Sequence, residues 1–301
     1  KIRNCMFTRE KIPYFFLTAI AALLIYRCFF SFVWSDESFY LSLVHRFWTG
    51  DRPIVDEWSG VQLYSIILLP IYSVYRLVMG SSDGVYLFFR ILMVLAEYAL
   101  SLYIFRSLCR SFGIWPSFLG ALSYLLYTRA NILGASYYSF ALLFFTYSLF
   151  LILNAENGKK NFRFVWAGCM MALAVLALPY LAVIYILAVG TILIIPYLRK
   201  FRADILWMMA GTCMCAAVYC FFLLSRADVI DIWRNFPRLL GDKEHGQAGL
   251  IFSSAYWFAR ILYRYKYTAP MMAACFIYIM YRIKGNRKLN RTKDLIYITI
   301  C

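Results

Sequence analysis

The sequence predicts an all-α fold, a polytopic transmembrane helical bundle. Composition and the arrangement of charge carry that prediction. Hydrophobic residues make up 63% of the 301-residue chain and charged residues only 15%, more apolar surface than a water-soluble domain of this size can hide. The apolar residues fall in successive runs, and the basic residues collect in short clusters between them. The net charge of +16 therefore fits cytoplasmic loops facing anionic lipid headgroups, and no nucleic-acid partner is expected. Most of the nine Cys lie inside apolar runs, Cys213, Cys215 and Cys220 among them, and read as small buried hydrophobes. Two His, His45 and His245, cannot build a His-rich metal site.

Taken in order, Lys1, Arg3, Arg9 and Lys11 precede the first apolar run, Pro13 to Val33, which is long enough to span. It lacks a small-residue cleavage site and is too long for a signal core, so it reads as a retained helix. Arg27 within it must face protein or snorkel outward. Next come Asp36-Glu37, an amphipathic piece from Phe39 to Trp48, a turn from Thr49 to Pro53, and a second acidic pair, Asp56-Glu57. The run Val61 to Met79 is broken by Pro70 and carries Gln62, Tyr64, Ser65, Tyr72 and Arg76. Further runs follow at Val85–Phe105, Trp115–Tyr127, Ile132–Leu153, Phe164–Leu178, Leu181–Leu198 and Ile205–Leu224. A polar segment, Ser225 to Gly249, precedes a Tyr- and Arg-rich stretch, Phe252 to Tyr267, and another run, Thr268 to Tyr281. The chain begins without Met and stops at Cys301 in what reads as the next span. A single membrane domain over residues 1–301, belonging to a longer protein, is expected.

Parity suggests which runs cross. Basic clusters at the N-terminus, Arg106/Arg110, Lys159/Lys160/Arg163, Arg199/Lys200/Arg202 and Arg282–Lys293 all belong in the cytoplasm under the positive-inside rule. Three apolar runs separate the first two clusters, so one of the three should not span. Val61–Met79, with its proline and polar residues, is the one expected to lie at the outer interface. The first outer loop then covers residues 35–84 and holds Asp36, Glu37, Asp51, Asp56, Glu57 and Asp83. A second outer loop, residues 225–250, falls on the same side with Asp228, Asp231, Asp242, Glu244 and His245. Acids at the membrane boundary, among Trp34, Phe39, Tyr40, Phe47, Trp48 and Trp58, suit work on something arriving from the bilayer. The alternative is that Asp36 caps a short helix and Glu37 supports its dipole.

This order of features resembles the GT-C superfamily of lipid-linked-sugar glycosyltransferases, its bacterial members related to protein O-mannosyltransferases and aminoarabinose transferases. The resemblance rests on Asp36-Glu37 after the first span, the turn from Gly50 to Pro53, the juxtamembrane helix Val61–Met79, Arg90 at the start of the next span, and the turn with Arg106, Arg110 and Gly113. It covers roughly the first two hundred residues.

The resemblance implies a GT-C bundle with juxtamembrane helices in the first outer loop, in the plasma membrane, with its active site on the extracytoplasmic face. The implied reaction moves a sugar from a polyprenyl-phosphate to a hydroxyl of a glycan, lipid or protein acceptor. Asp36 matches the catalytic base, which must take the acceptor proton as the glycosidic bond forms. Glu37 holds the acceptor or orients Asp36. The leaving phosphate wants cations and donors, for which Arg90, Arg129 and His245 are candidates. Asp56, Glu57, Gln62 and Tyr64 would line the cavity under the interfacial helix. Arg90 and Arg129 can instead snorkel to headgroups, Asp56 and Glu57 can belong to a solvated turn, and His245 can be an incidental loop histidine. The stretch Arg129 to Ser139 lacks the second carboxylate that relatives often carry, which weakens the case for a metal; no cofactor is expected. Glu97 lies deep in an apolar run, paired or protonated if it is not functional. The competing class is a transporter or flippase for lipid-linked glycans, with midplane charges and paired broken helices; no internal repeat is visible.

Overall fold

Backbone taken out of water must satisfy its own N–H and C=O groups, and a helix does so within one segment. The computed structural model describes residues 2–30, 36–57, 59, 62–127, 134–155, 160–194 and 201–240. They form α1 (Ile2–Cys28), α2 (Asp36–Thr49), α3 (Gln62–Met79), α4 (Val85–Phe112), α5 (Ile114–Leu126), α6 (Tyr137–Leu153), α7 (Lys160–Ala177), α8 (Leu181–Ile194), α9 (Arg202–Arg226) and α10 (Val229–Leu240). Among the described residues there is no strand, only an isolated bridge between Pro53 and Glu57.

Four helices are long and apolar enough to cross a membrane: Lys11–Cys28, Gln62–Met79, Val85–Cys109 and Arg202–Arg226. They mark the chain as a membrane protein. The expected runs in α5, α6, α7 and α8 form shorter apolar helices, below the roughly twenty residues of a straight crossing. Three expectations change. Pro70 does not break its run: α3 continues through it, with the ring on the exposed side. The polar segment from Ser225 is not simply a loop, since it contains α10. The run expected from Ile132 becomes a helix only at Tyr137, where the Ser136 hydroxyl caps it by accepting from the Ser139 amide at 3.1 Å.

Three apolar clusters hold the bundle. One joins α1, α4 and α5 through Leu17, Leu24, Val94, Leu100, Phe105, Ala121 and Leu125. A second joins the end of α6 to the starts of α7 and α9 through Leu151, Phe164, Ala167, Ile205 and Met208. The third gathers α2 and α3 with the starts of α4 and α6 and the ends of α7 and α9, through Tyr40, Phe47, Tyr64, Tyr72, Phe89, Phe140, Ala177 and Leu223. Helices therefore alternate in direction, and α2 and α3 sit at one end.

The orientation of α3 follows from its contacts. Tyr64, near its start, packs on Phe140 in the first turn of α6, with ring centroids 5.5 Å apart. Tyr75, near its end, packs on Phe88 in the first turn of α4 at 4.8 Å. Eleven residues of helix separate the two tyrosines, about 16 Å of axis. A helix running antiparallel down α4 would carry Tyr64 to the middle of the bundle; instead both ends of α3 touch the same end. Gly80 and Gly84, both at positive φ, make the sharp turn into α4, and the Tyr75 hydroxyl ties it down by donating to the Asp83 carbonyl.

The tightest helix contact joins α7 and α9. A methyl group at Gly168 would overlap the Met208 carbonyl, and one at Gly211 would overlap the Val165 carbonyl. Glycine here lets two backbones approach, and side chains then bond across the seam. The Thr212 hydroxyl reaches the Gly168 carbonyl at 3.2 Å, and the Cys169 thiol reaches the Gly211 carbonyl at 3.3 Å.

Candidate functional site

The polar chemistry is built where α1 ends, α2 begins and α4 starts. Asp36 is the first residue of α2; its side chain lies outside the described residues. Glu37, next to it, is buried, with its side chain 5% exposed. Arg90, in the second turn of α4, meets it as a fork: Nε donates to Oε1 at 2.9 Å and Nη2 to Oε2 at 2.5 Å. The third nitrogen, Nη1, donates to the Cys28 carbonyl at 3.2 Å. That carbonyl belongs to the last turn of α1, where the helix supplies no partner of its own. One guanidinium thus fastens three helices. Glu37 also gains from standing in the first turn of α2, at the positive end of its dipole.

The turn between α2 and α3 is a second polar unit. Arg46 at the end of α2 donates from Nε to Asp51 at 2.6 Å, from Nη1 to Glu57 at 2.6 Å and from Nη2 to the Asp56 carbonyl at 3.0 Å. Arg52 forks onto Asp56, whose carboxylate also accepts from the Arg52 amide at 2.8 Å. Those bonds from Arg52 hold the Asp56 carboxyl below the ordinary aspartate range. Glu57 accepts from the Ser59 amide at 2.9 Å. Gln62 is fully buried and latches the turn: it accepts from the Ile54 amide at 2.6 Å and donates to the Glu57 carbonyl at 3.0 Å. Ile54 sits at φ 69°, a conformation that a branched residue adopts only when its surroundings impose it.

The expected site residues therefore divide. Glu37 and Arg90 come together, but on each other. Asp56, Glu57 and Gln62 also come together, bonded within their own turn. Tyr64 is completely buried beneath Tyr40 and Phe140, and its hydroxyl has no hydrogen-bond partner among the described residues. Arg129 and His245, expected near the donor phosphate, lie outside the described residues.

His45 is not among the expected site residues. Its Nδ1 is 2.7 Å from the Tyr72 hydroxyl, and its ring stacks on Trp48, whose face carries the Arg76 guanidinium at 4.7 Å. The signal was the spacing, His45 with Trp48 on one helix face and Tyr72 with Arg76 on the next. Among the described residues no group of three or more His, Cys, Asp or Glu is placed to hold a metal.

Glu97 is a third polar feature, two turns below Arg90 on α4. It is 8% exposed, with Cys28 and Tyr124 near enough to feel its charge. No family model, no curated protein and no solved structure matches this chain.

Proposed function

We propose that this chain is a GT-C-type membrane glycosyltransferase. It moves a sugar from a polyprenyl-phosphate donor to an acceptor hydroxyl on the extracytoplasmic face, with Asp36 as general base. The observation that carries the reading is the buried Glu37–Arg90 pair. It pins the first turn of α2 to the end of α1 and the start of α4, so the neighbouring Asp36 is held at the exit of a membrane helix. A base must be held in place to remove a proton as the new bond forms. Glu37 then orients Asp36, one of the two roles expected of it. Arg90 is a positioning residue: its fork is engaged by a carboxylate, and the pair is close to neutral. Charge for the leaving phosphate falls to other cations, for which Arg129 and His245 remain the candidates. The course of α3 across one end of the bundle supports its role as a juxtamembrane helix roofing this junction, with Tyr64 on its inner side.

The test is single-turnover transfer by the purified full-length protein, using a panel of polyprenyl-phosphate sugars, with donor binding measured in parallel. Asp36→Asn keeps the size and hydrogen-bonding capacity of the side chain. It should retain donor binding while transfer falls about a hundredfold to ten-thousandfold. Wild-type turnover in Asp36→Asn removes the base assignment. Absence of transfer from every donor by the wild-type protein removes the reaction.

Glu97 favours a second reading, a flippase or transporter for lipid-linked glycans. A carboxyl buried in a membrane helix is a proton or substrate site by default. Donor flipping in reconstituted vesicles that is lost in Glu97→Gln, without any transfer in the wild type, would establish that reading instead.

A further inference from the structure

We infer that α10 is an in-plane amphipathic helix whose apolar side lies in the headgroup–acyl boundary of an anionic bilayer, and that it fixes the depth of the α2–α3 turn. This inference is independent of the transferase reading and holds equally for a transporter.

The pattern is in the sequence of the helix. Val229, Trp233, Phe236 and Leu240 recur at the spacing of one helix face, with Ile230 and Pro237 beside them. Asp231, Arg234, Asn235 and Arg238 occupy the opposite face. In a helix packed on a protein the apolar side turns inward, but here most of it turns out. Ile230 is 63% exposed and Trp233 78%. The side that meets the protein is the polar edge: Asp231 faces Arg52 at 3.7 Å, and among the described side chains of α10 only Ile232 reaches the cluster under α2 and α3.

Position identifies what covers the apolar side. Only Ala227 and Asp228 separate α10 from α9, and the extended backbone of Ala227, φ −148° and ψ 147°, ends α9. The last turns of α9 present Phe221 and Leu224 outward, so the exposed apolar surface runs from a helix long enough to cross the membrane onto α10. A surface continuous with a span, edged by Arg234 and Arg238, matches lipid with anionic headgroups. The link to the turn is direct. Arg226 donates to the Phe47 carbonyl at 3.3 Å at the end of α2, while Arg52 pairs with Asp231 in the next element. Lipid holding Trp233 therefore holds the Arg46–Glu57 turn at a fixed level.

The test places the photoreactive residue benzoylphenylalanine at position 233, at 230, or at 235 on the polar side. The full chain is reconstituted in vesicles of phosphatidylethanolamine and phosphatidylglycerol. After illumination, adducts are mapped by peptide mass. At 230 and 233 lipid adducts should dominate, at least tenfold above those at 235. Adducts from 230 or 233 to this chain's own residues or to a second copy, or no lipid adduct at all, would overturn the inference. Trp233→Asp provides the second arm. In the same vesicles it should raise labelling of Thr49→Cys by a membrane-impermeant thiol reagent several-fold over Thr49→Cys alone, and unchanged labelling would sever α10 from the depth of the turn.

Discussion

At the scale of single residues, burial decides what the Glu37–Arg90 pair is for. Side-chain exposures of 5% and 12% leave neither charge enough water to stand alone. Removing one member of such a pair typically costs about 3–5 kcal/mol, most of it the penalty of the abandoned charge. Glu37→Gln and Arg90→Ala should each lower the unfolding temperature in detergent, and the double variant should lose much less than the sum. Additive losses would show that the two side chains act separately. Arg90→Lys keeps the charge but loses the fork, so it should also destabilise. A residue serving only donor phosphate would change donor affinity and leave unfolding unmoved. The sequence marked both residues, but not their meeting, because 53 positions separate them and only the tertiary fold brings them together. Asp56 supports a prediction about pH. Its folded-state pKa lies below the ordinary carboxylate range, through the bonds from Arg52. Such a group adds stability that is complete above the ordinary value, about 4, and is lost as pH falls through the folded value. Ile54 is buried under this turn. In Ile54→Cys the thiol should resist dithiodipyridine from pH 5 to 8 and become reactive below about pH 4. Adding Asp56→Asn should remove the pH step. Loss of protection between pH 5 and 8 would place the titration on another group.

At the scale of elements, the α7–α9 seam gives the sharpest expectation. The neighbours of Gly168 and Gly211 are backbone carbonyls, which cannot swing aside as a side chain can. Gly168→Ala must push the two helices apart, and overpacking of this kind typically costs about 1–3 kcal/mol. The helices would also lose the bonds of Thr212 and Cys169 across the seam. Detergent-solubilised Gly168→Ala should unfold at a lower temperature than wild type, whereas Gly190→Ala, with open space around it, should not. Equal behaviour of the two variants would mean that the seam relaxes freely. Most of the helices were legible, because an apolar run states where water is absent. Their ends were not: α6 starts only where Ser136 can cap it, and α3 continues through Pro70, whose ring faces outward. The glycine seam has no periodic signal strong enough to separate it from any other apolar run. The α10 pattern was visible in Val229, Trp233, Phe236 and Leu240, but the charges between them made the segment read as a loop.

At the scale of the whole molecule, charge is arranged end to end. Glu37, Asp51, Asp56, Glu57 and Asp231 gather where α2, α3 and α10 meet the bundle, each within reach of an arginine. The opposite end holds Arg106 on the Tyr14 ring, Arg163 on the Asn154 carbonyl and Arg202 on the Leu193 carbonyl. Parity of the apolar runs predicts that this basic end faces the cytoplasm, provided one of the first three runs does not cross. The fold offers α3 for that role, although its composition alone would let it span. Both its ends touch the acidic end of the bundle, through Tyr64 on Phe140 and Tyr75 on Phe88. Ser59 and Asp83, just outside the two ends of α3, should then lie on one side of the membrane. Ser59→Cys and Asp83→Cys in intact cells should both react with a membrane-impermeant maleimide added from outside, and Ser107→Cys at the basic end should react only after the cells are opened. Labelling of only one α3 flank from outside would make α3 a span. The junction of α1, α2 and α4 would then have no roof, and the proposed site would lose the element that separates it from bulk water.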